Sequence, residues 1–324
     1  MGFELNKSYS GFRLTQKEEI SELKSLGLFF EHDVTGAELL VLENDDDNKV
    51  FSATFRTPPE NDTGIAHILE HSVLCGSKNF PVKEPFVELM KGSLQTFLNA
   101  MTFPDKTMYP VASRNQKDFY NLMNVYLDAV FYPTISEDTF KQEGWHYELN
   151  SPEDKIVYKG VVLNEMKGEF SSPESCIDRQ LAHSLFPSTP YGFESGGDPA
   201  CIPNLSYGEF KEFHRKHYHP SNSRLFLYGD GDTQSYLDYL QANYLKDFGL
   251  MDVNTSIPHQ RSFRKAKRKN LTYPISSHES LEKKTYVLLG YKLDKAINHE
   301  HCLGFSILSH LLLGSSASPL RKAL

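Results

Sequence analysis

Two histidines and a glutamate fall within five residues in the stretch Thr63-Gly64-Ile65-Ala66-His67-Ile68-Leu69-Glu70-His71-Ser72-Val73-Leu74-Cys75-Gly76. Their order is His-x-x-Glu-His. On a helix, residues four apart share one face, one turn above the other, so the imidazoles of His67 and His71 can reach a single metal ion. Glu70 falls at the edge of that face, where a carboxylate can touch a metal-bound water without being a ligand. A catalytic zinc site takes three protein ligands and keeps one position open. Zinc lowers the pKa of its water to about 7 and polarises a carbonyl. A carboxylate beside that water can take its proton and pass it to a leaving amine. The order inverts the His-Glu-x-x-His of the commoner zinc peptidases. The plain alternative is two helix histidines beside an acid, because short motifs also match by chance.

The elements around the motif must place it. Asp62 or Thr63 is the expected helix cap, the helix runs from about Gly64 to Cys75, and Gly76 ends it. A third ligand must come from elsewhere. The segment Gly160-Val161-Val162-Leu163-Asn164-Glu165-Met166-Lys167-Gly168-Glu169 reads as a helix whose Val161, Val162 and Met166 can face the core. Glu165 and Glu169 are four apart, and spacing alone does not choose between them. Either could equally be a solvent-facing helix carboxylate, the usual fate of Glu.

Upstream, Ala37–Leu42 and Val50–Arg56 read as strands, parted by the acidic turn Glu43-Asn44-Asp45-Asp46-Asp47. Thr96–Thr102 and Thr107–Ala112 form an expected hairpin around Phe103-Pro104-Asp105-Lys106. Phe119, Leu122, Met123, Tyr126, Leu127 and Val130, spaced by three and four, mark an amphipathic helix. A short hairpin turns at Ser151–Asp154, and further helices are expected near 136–144, 175–187, 206–218, 232–245 and 297–313. Ser223–Tyr228 and Lys284–Tyr291 read as strands. Strands mixed with helices and hairpins indicate an α+β class with a mixed, mainly antiparallel sheet. The expected organisation is a metal-binding domain over 1–248, a polar linker over 249–275 and the start of a second similar domain over 276–324.

The 324 residues suffice for one large domain or two medium ones. A formal charge of −8 argues against a general nucleic-acid binder. The basic run from Arg261 to Lys269 reads as a solvated connection. Cys75, Cys176, Cys201 and Cys302 are widely spaced with no CxxC pair, the pattern of reduced thiols in an intracellular protein. Cys75 lies one turn beyond His71 and reads as a buried thiol rather than a ligand. His214, His217 and His219 cluster, but they read more simply as parts of a helix-to-strand turn. Trp145 and Phe131 read as core. The first ten residues have neither an apolar signal core nor an Arg-rich amphipathic pattern, and no apolar run is long enough for a membrane span. A bacterial cytoplasm is the expected location, with an organelle matrix as the alternative if a transit segment has been removed.

These residues resemble the pitrilysin family of zinc metallopeptidases, and within it the presequence protease subfamily. Thr57–Ser77 resembles the zinc-helix signature. Phe97-Leu98-Asn99-Ala100-Met101-Thr102-Phe103-Pro104-Asp105 resembles a substrate-edge strand, and Lys159–Gly168 resembles the segment of the distal zinc ligand. Ser195-Gly196-Gly197-Asp198-Pro199 and His217–Asn222 resemble later family segments, so the likeness covers most of residues 28–230. The resemblance implies one zinc ion held by His67, His71 and Glu165, with Glu70 as general base and Glu169 as a neighbour. It implies that Asn99 and Ala100 lie on a strand edge that pairs with substrate backbone, a mode suited to unfolded peptides. It further implies repeated α+β domains in two halves that enclose a peptide chamber. The C-terminal half, not contained in residues 1–324, is then the expected partner within the same protein.

Overall fold

The computed structural model describes residues 2–83, 85–273 and 275–324. The chain forms two compact units, Met1–Gln260 with Leu271–Glu279, and Arg261–Asn270 with Ser280–Leu324. The architecture is α+β with a sheet that is antiparallel at all but one pairing.

The first unit is built on nine strands. In chain order these are β1 (Ser8–Tyr9), β2 (Phe12–Ile20), β3 (Ser25–His32), β4 (Glu38–Glu43), β5 (Lys49–Arg56), β6 (Gln95–Leu98), β7 (Met101–Thr102), β8 (Lys106–Ser113) and, after a two-stranded hairpin of β9 (His146–Glu148) and β10 (Val157–Lys159), β11 (Ser223–Gly229). Across the sheet the order is β1-β2-β3-β4-β11-β5-β8-β6, with β7 also on β8. β11 enters between β4 and β5, parallel to the first and antiparallel to the second.

Alternation of side chains along each strand gives the sheet one apolar face. In register, Phe30, Leu39, Leu225, Ala53 and Tyr109 follow one another across five strands. Leu28, Val41, Leu227, Phe51 and Val111 make a second row beside them, and all ten are buried. Burial of each large side chain contributes about 1.5–3 kcal/mol, so a one-residue slip, which would turn each row to the opposite face, is strongly disfavoured.

The helices α1 (Ile65–Val73), α2 (Pro85–Gly92), α3 (Gln116–Phe131), α4 (Glu137–Glu143), α5 (Val161–Glu169), α6 (Pro173–Leu185), α7 (Tyr207–His217) and α8 (Thr233–Asn243) complete this unit. α3 begins at Asn115, whose side chain accepts the Asp118 N–H, and lies against β5 and β8. α7 begins with a reciprocal pair, the Ser206 hydroxyl accepting the Glu209 N–H and the Glu209 carboxylate the Ser206 N–H. α1 packs against α4, α7, β7 and β8.

The structure departs from the sequence expectations in several places. β2 carries Lys17, Glu18 and Glu19 on an exposed stretch, so it lacks the apolar pattern that marks a strand, yet it pairs along β3. Val161 is exposed and Leu163 takes its expected place in the core. In the second unit α9 (His299–Leu313) and α10 (Pro319–Ala323) form, but Lys284–Tyr291 forms no strand. A strand exists only through its ladder, and no described strand pairs with that segment.

His214, His217 and His219 do not converge on one point. The His214 ring bonds the Val130 carbonyl at 2.9 Å, the His217 ring bonds the Arg56 carbonyl at 3.2 Å, and His219 bonds the Ser221 hydroxyl at 3.1 Å. His214 ties α7 to α3, His217 ties its end to β5, and His219 closes the following turn on itself. Burial pushes His214 and His217 down to about 4. Both remain neutral in the fold while the unfolded chain protonates near 6.5. Their contribution is therefore complete above pH 6.5 and is lost as pH falls towards 4. For His214 the difference is on the order of 3 kcal/mol. Chemical denaturation followed by the single tryptophan, Trp145, is expected to show stability falling over that window, and His214→Gln is expected to flatten the fall. An unchanged slope in the variant would contradict the assignment.

Candidate metal centre

Eight of the nine residues of α1 are buried, so the helix is a core element and its side chains have fixed surroundings. Its start is unusual. Neither Asp62 nor Thr63 caps it; the N-cap is Gly64, with φ of +66° and no side-chain cap. Asp62 is used on the neighbouring loop, where its carboxylate accepts the Glu194 N–H and its carbonyl the Asp198 N–H, both at 2.8 Å. Thr63 turns its hydroxyl to Asn61. The 194–198 loop is thus tied down against the head of α1. A Cβ on Gly64 would lie 2.7 Å from the Gly196 oxygen and from the Gly197 Cα. The two backbones touch, and this contact delivers the Gly196 carbonyl to the His67 ring.

That carbonyl can only accept, so His67 Nδ1, 3.0 Å away, carries the proton and Nε2 presents a lone pair. His71 is held by a different device. Its Nδ1 lies 3.3 Å from the Glu143 carboxylate at the end of α4. Burial lowers the His71 pKa, but the Glu143 bond and the charges of Glu70, Glu143 and Glu165 outweigh it, and the net shift is upward. Burial likewise pushes the Glu143 carboxyl up, and the bonds from His71 and Gln142 bring it below the ordinary range.

With both Nδ1 atoms occupied, both Nε2 atoms face Glu165 on α5. The Glu165 Oε2 lies 3.6 Å from His67 Nε2 and 3.7 Å from His71 Nε2. Burial of Val162, Leu163 and Met166 sets the roll of α5, which leaves Glu165 on the half-exposed flank beside the pair. Donors about 2.1 Å from a tetrahedral ion stand about 3.4 Å apart, close to the observed spacing. The donor set of two neutral imidazoles and one carboxylate suits zinc. Among the described residues, these three form the group of His, Cys, Asp or Glu donors that could hold a metal. Glu169 is not in it; its carboxylate accepts from Ser175 at 3.2 Å. Nor is Cys75, whose sulfur contacts the His71 carbonyl and the Glu143 carboxylate.

Glu70 is buried on the same helix, and its Oε2 accepts from the Thr102 hydroxyl at 2.7 Å on β7. Three phenols, Tyr109, Tyr126 and Tyr218, are buried nearby. Burial raises their pKa, and the charge of Glu70 raises it further. They remain neutral.

Asn99 and Ala100 fall in the break between β6 and β7, at the outer edge of the sheet beyond β8. The Asn99 N–H donates to Pro110 at 3.2 Å, and its carbonyl accepts from Tyr126 at 3.2 Å, so both backbone groups point inward. The Asn99 side chain accepts the Ala100 N–H at 3.0 Å. Sequence reasoning did not single out Glu143 or Thr102. Each is one polar residue without a spacing signal, and only the packing of α4 and β7 on α1 brings them in.

Against families, Phe55–Glu169 (residues 55–169) matches the model described as Insulinase (Peptidase family M16), and residues 204–324 match the Peptidase M16 inactive domain. The chain is 54% identical to Protein HypA of Clostridium perfringens over 100% of this chain and 34% of that protein. It is 52% identical to presequence protease 1, chloroplastic/mitochondrial, of Arabidopsis thaliana, over 97% of this chain and 29% of that one. It is 40% identical to the mitochondrial presequence protease of Mus musculus, over 99% and 32%. The chain thus spans about a third of the length of these relatives. Among solved structures, pitrilysin superposes with a TM-score of 0.57 at 16% identity, covering 72% of this chain and 24% of that one, which is a likeness of fold. No helix among the described residues is long and apolar enough to cross a membrane.

The contact of Gly64 with the 194–198 loop is testable by substitution. Gly64→Ala combines a left-handed backbone with a close approach to the Gly196 oxygen, and is expected to destabilise the first unit by about 1–3 kcal/mol. Gly168→Ala on α5 meets open space and is expected to be neutral or to stabilise by up to about 1 kcal/mol. Denaturation midpoints of the two variants check this; equal effects would contradict the role given to Gly64.

Proposed function

The chain belongs to the M16 (pitrilysin) family of peptidases, with presequence proteases among its relatives, and from that premise we propose that it carries the zinc site of an endopeptidase acting on short, unfolded peptides. One observation bears most of the weight: two imidazoles with their Nδ1 atoms engaged, and their Nε2 atoms converging on the Glu165 carboxylate at 3.6 and 3.7 Å. A zinc ion bound by His67, His71 and Glu165 would supply Lewis acidity, activating water near neutral pH and polarising the scissile carbonyl.

The protein's own groups divide the remaining work. Thr102 holds Glu70 Oε2, which leaves Oε1 free to take a proton from the attacking water and pass it to the departing amine nitrogen. Burial of Glu70 shields that exchange from bulk solvent. At the sheet edge Asn99 anchors the chain inward, and Ala100, once the Asn99 side chain releases its N–H, offers the backbone to which a peptide can add as a further strand; such pairing reads main chain rather than side chain. An unfolded peptide meets that requirement and a folded protein does not.

A second reading is that residues 1–324 bind metal and peptide without turnover. It is favoured by the chain spanning only about a third of its relatives. A C-terminal half of the same protein would then be needed to complete the catalytic chamber.

Elemental analysis of the purified chain is expected to give about one zinc per chain, lost in Glu165→Ala. Glu70→Gln is expected to retain zinc while any cleavage of an unfolded peptide, followed by mass spectrometry, is abolished. A parent that takes up no zinc would sink the metal assignment. Full cleavage by Glu70→Gln would sink the role of Glu70. A zinc-loaded parent that binds peptide without cutting it would favour the second reading.

A further inference from the structure

The two ligand histidines are held in different ways. His67 donates to a neutral carbonyl, that of Gly196. His71 is set against a buried carboxylate, that of Glu143. A lone glutamate on a short helix usually faces water, yet Glu143 is only 5% exposed. Its second oxygen is also engaged, accepting from the Gln142 amide at 2.9 Å and from the Cys75 thiol at 3.7 Å. The carboxylate is therefore fixed at both oxygens, with one turned to a single ring nitrogen.

The backbone around Glu143 is fixed as well. Gly144 ends α4, and Gly160 is the N-cap of α5. A Cβ on Gly160 would lie 1.9 Å from the Gly144 oxygen, and a Cβ on Gly144 would lie 3.2 Å from Ile68 of α1. The end of α4, the start of α5 and the middle of α1 meet at one joint. Glu143, Glu165 and His71 hang from the three arms of that joint.

We propose that Glu143 is a positioning residue for the metal centre: it fixes His71 as the Nδ1–H tautomer, aims its Nε2 at Glu165 and so strengthens metal binding. This rests on the zinc reading above, but its central claim concerns a proton and a ring orientation that exist without metal. A carboxylate can only accept from Nδ1. An amide at the same place can also turn its NH2 group towards Nδ1, which leaves the proton on Nε2, where it blocks ligation. Removing such a partner of a ligand histidine typically weakens metal affinity by 10- to 100-fold.

The test compares the full chain with Glu143→Gln. Zinc affinity is measured by competition with a chromophoric chelator, and the His71 tautomer by nitrogen-15 NMR of the metal-free protein at alkaline pH, where the ring is neutral. The parent is expected to carry its proton on Nδ1. Glu143→Gln is expected to bind zinc about 10- to 100-fold more weakly and to show a mixture of tautomers, while its far-ultraviolet circular dichroism stays that of the parent. A variant that matches the parent in affinity and tautomer would overturn the inference and leave the zinc reading standing. A parent that binds no zinc but holds His71 as Nδ1–H would overturn the zinc reading and leave Glu143's hold on the ring intact. Should Glu143→Gln fail to fold, the parent's tautomer decides alone, and a proton on Nε2 would overturn the inference.

Discussion

Each imidazole on α1 has one nitrogen to offer a metal, and the other must be held from behind. The fold meets this requirement twice, each time from a different downstream segment. Gly196 reaches His67 from 129 residues away and Glu143 reaches His71 from 72 residues away. Without these holds the rings would sample several rotamers and either tautomer, and the entropy of ordering them would fall on metal binding. With them the two Nε2 atoms stand ready beside Glu165. Much of the remaining structure can be understood as the frame that brings those two holders to α1.

That frame begins with the sheet. The two buried rows that cross β3, β4, β11, β5 and β8 set the register, and β8 carries β6 and β7 on its outer side. Because β7 lies there, Thr102 meets Glu70. Insertion of β11 between β4 and β5 requires the chain to return to the sheet after α7, and there His217 and Asn222 bond the Arg56 carbonyl at the end of β5 while His214 bonds Val130 of α3. On the other side of α1, α4 and α5 are locked by the close approach of Gly144 and Gly160. Glu70, the proposed proton carrier, is thus tied to the sheet, and Glu165, the proposed ligand, to the helical layer, with α1 shared by both.

Much of this could be read from the sequence, for identifiable reasons. His67, Glu70 and His71 are close in the chain, so helical geometry alone puts them together. The strands from Ala37 to Arg56 and the helix from Gln116 to Phe131 carry strong periodicity. Glu165 could not be separated from Glu169 by spacing, because that choice depends on how α5 is rolled, and its roll is set by Val162, Leu163 and Met166 packing inside. Gly196 acts through a backbone oxygen, which has no side-chain signature at all. Glu143 looks like any helix glutamate until α4 docks. The polar stretch of β2 and the unformed strand at Lys284–Tyr291 err in opposite directions for the same reason: a strand is decided by what lies beside it.

Zinc K-edge X-ray absorption of the zinc-loaded chain measures directly which atoms surround a bound metal. The geometry predicts a first shell of nitrogen and oxygen at about 2.0–2.2 Å, with the outer-shell signature of two imidazoles and no sulfur. A scatterer at about 2.3 Å, the distance of a thiolate, would place Cys75 or another cysteine on the metal. It would contradict the assignment of His67, His71 and Glu165 as the ligand set.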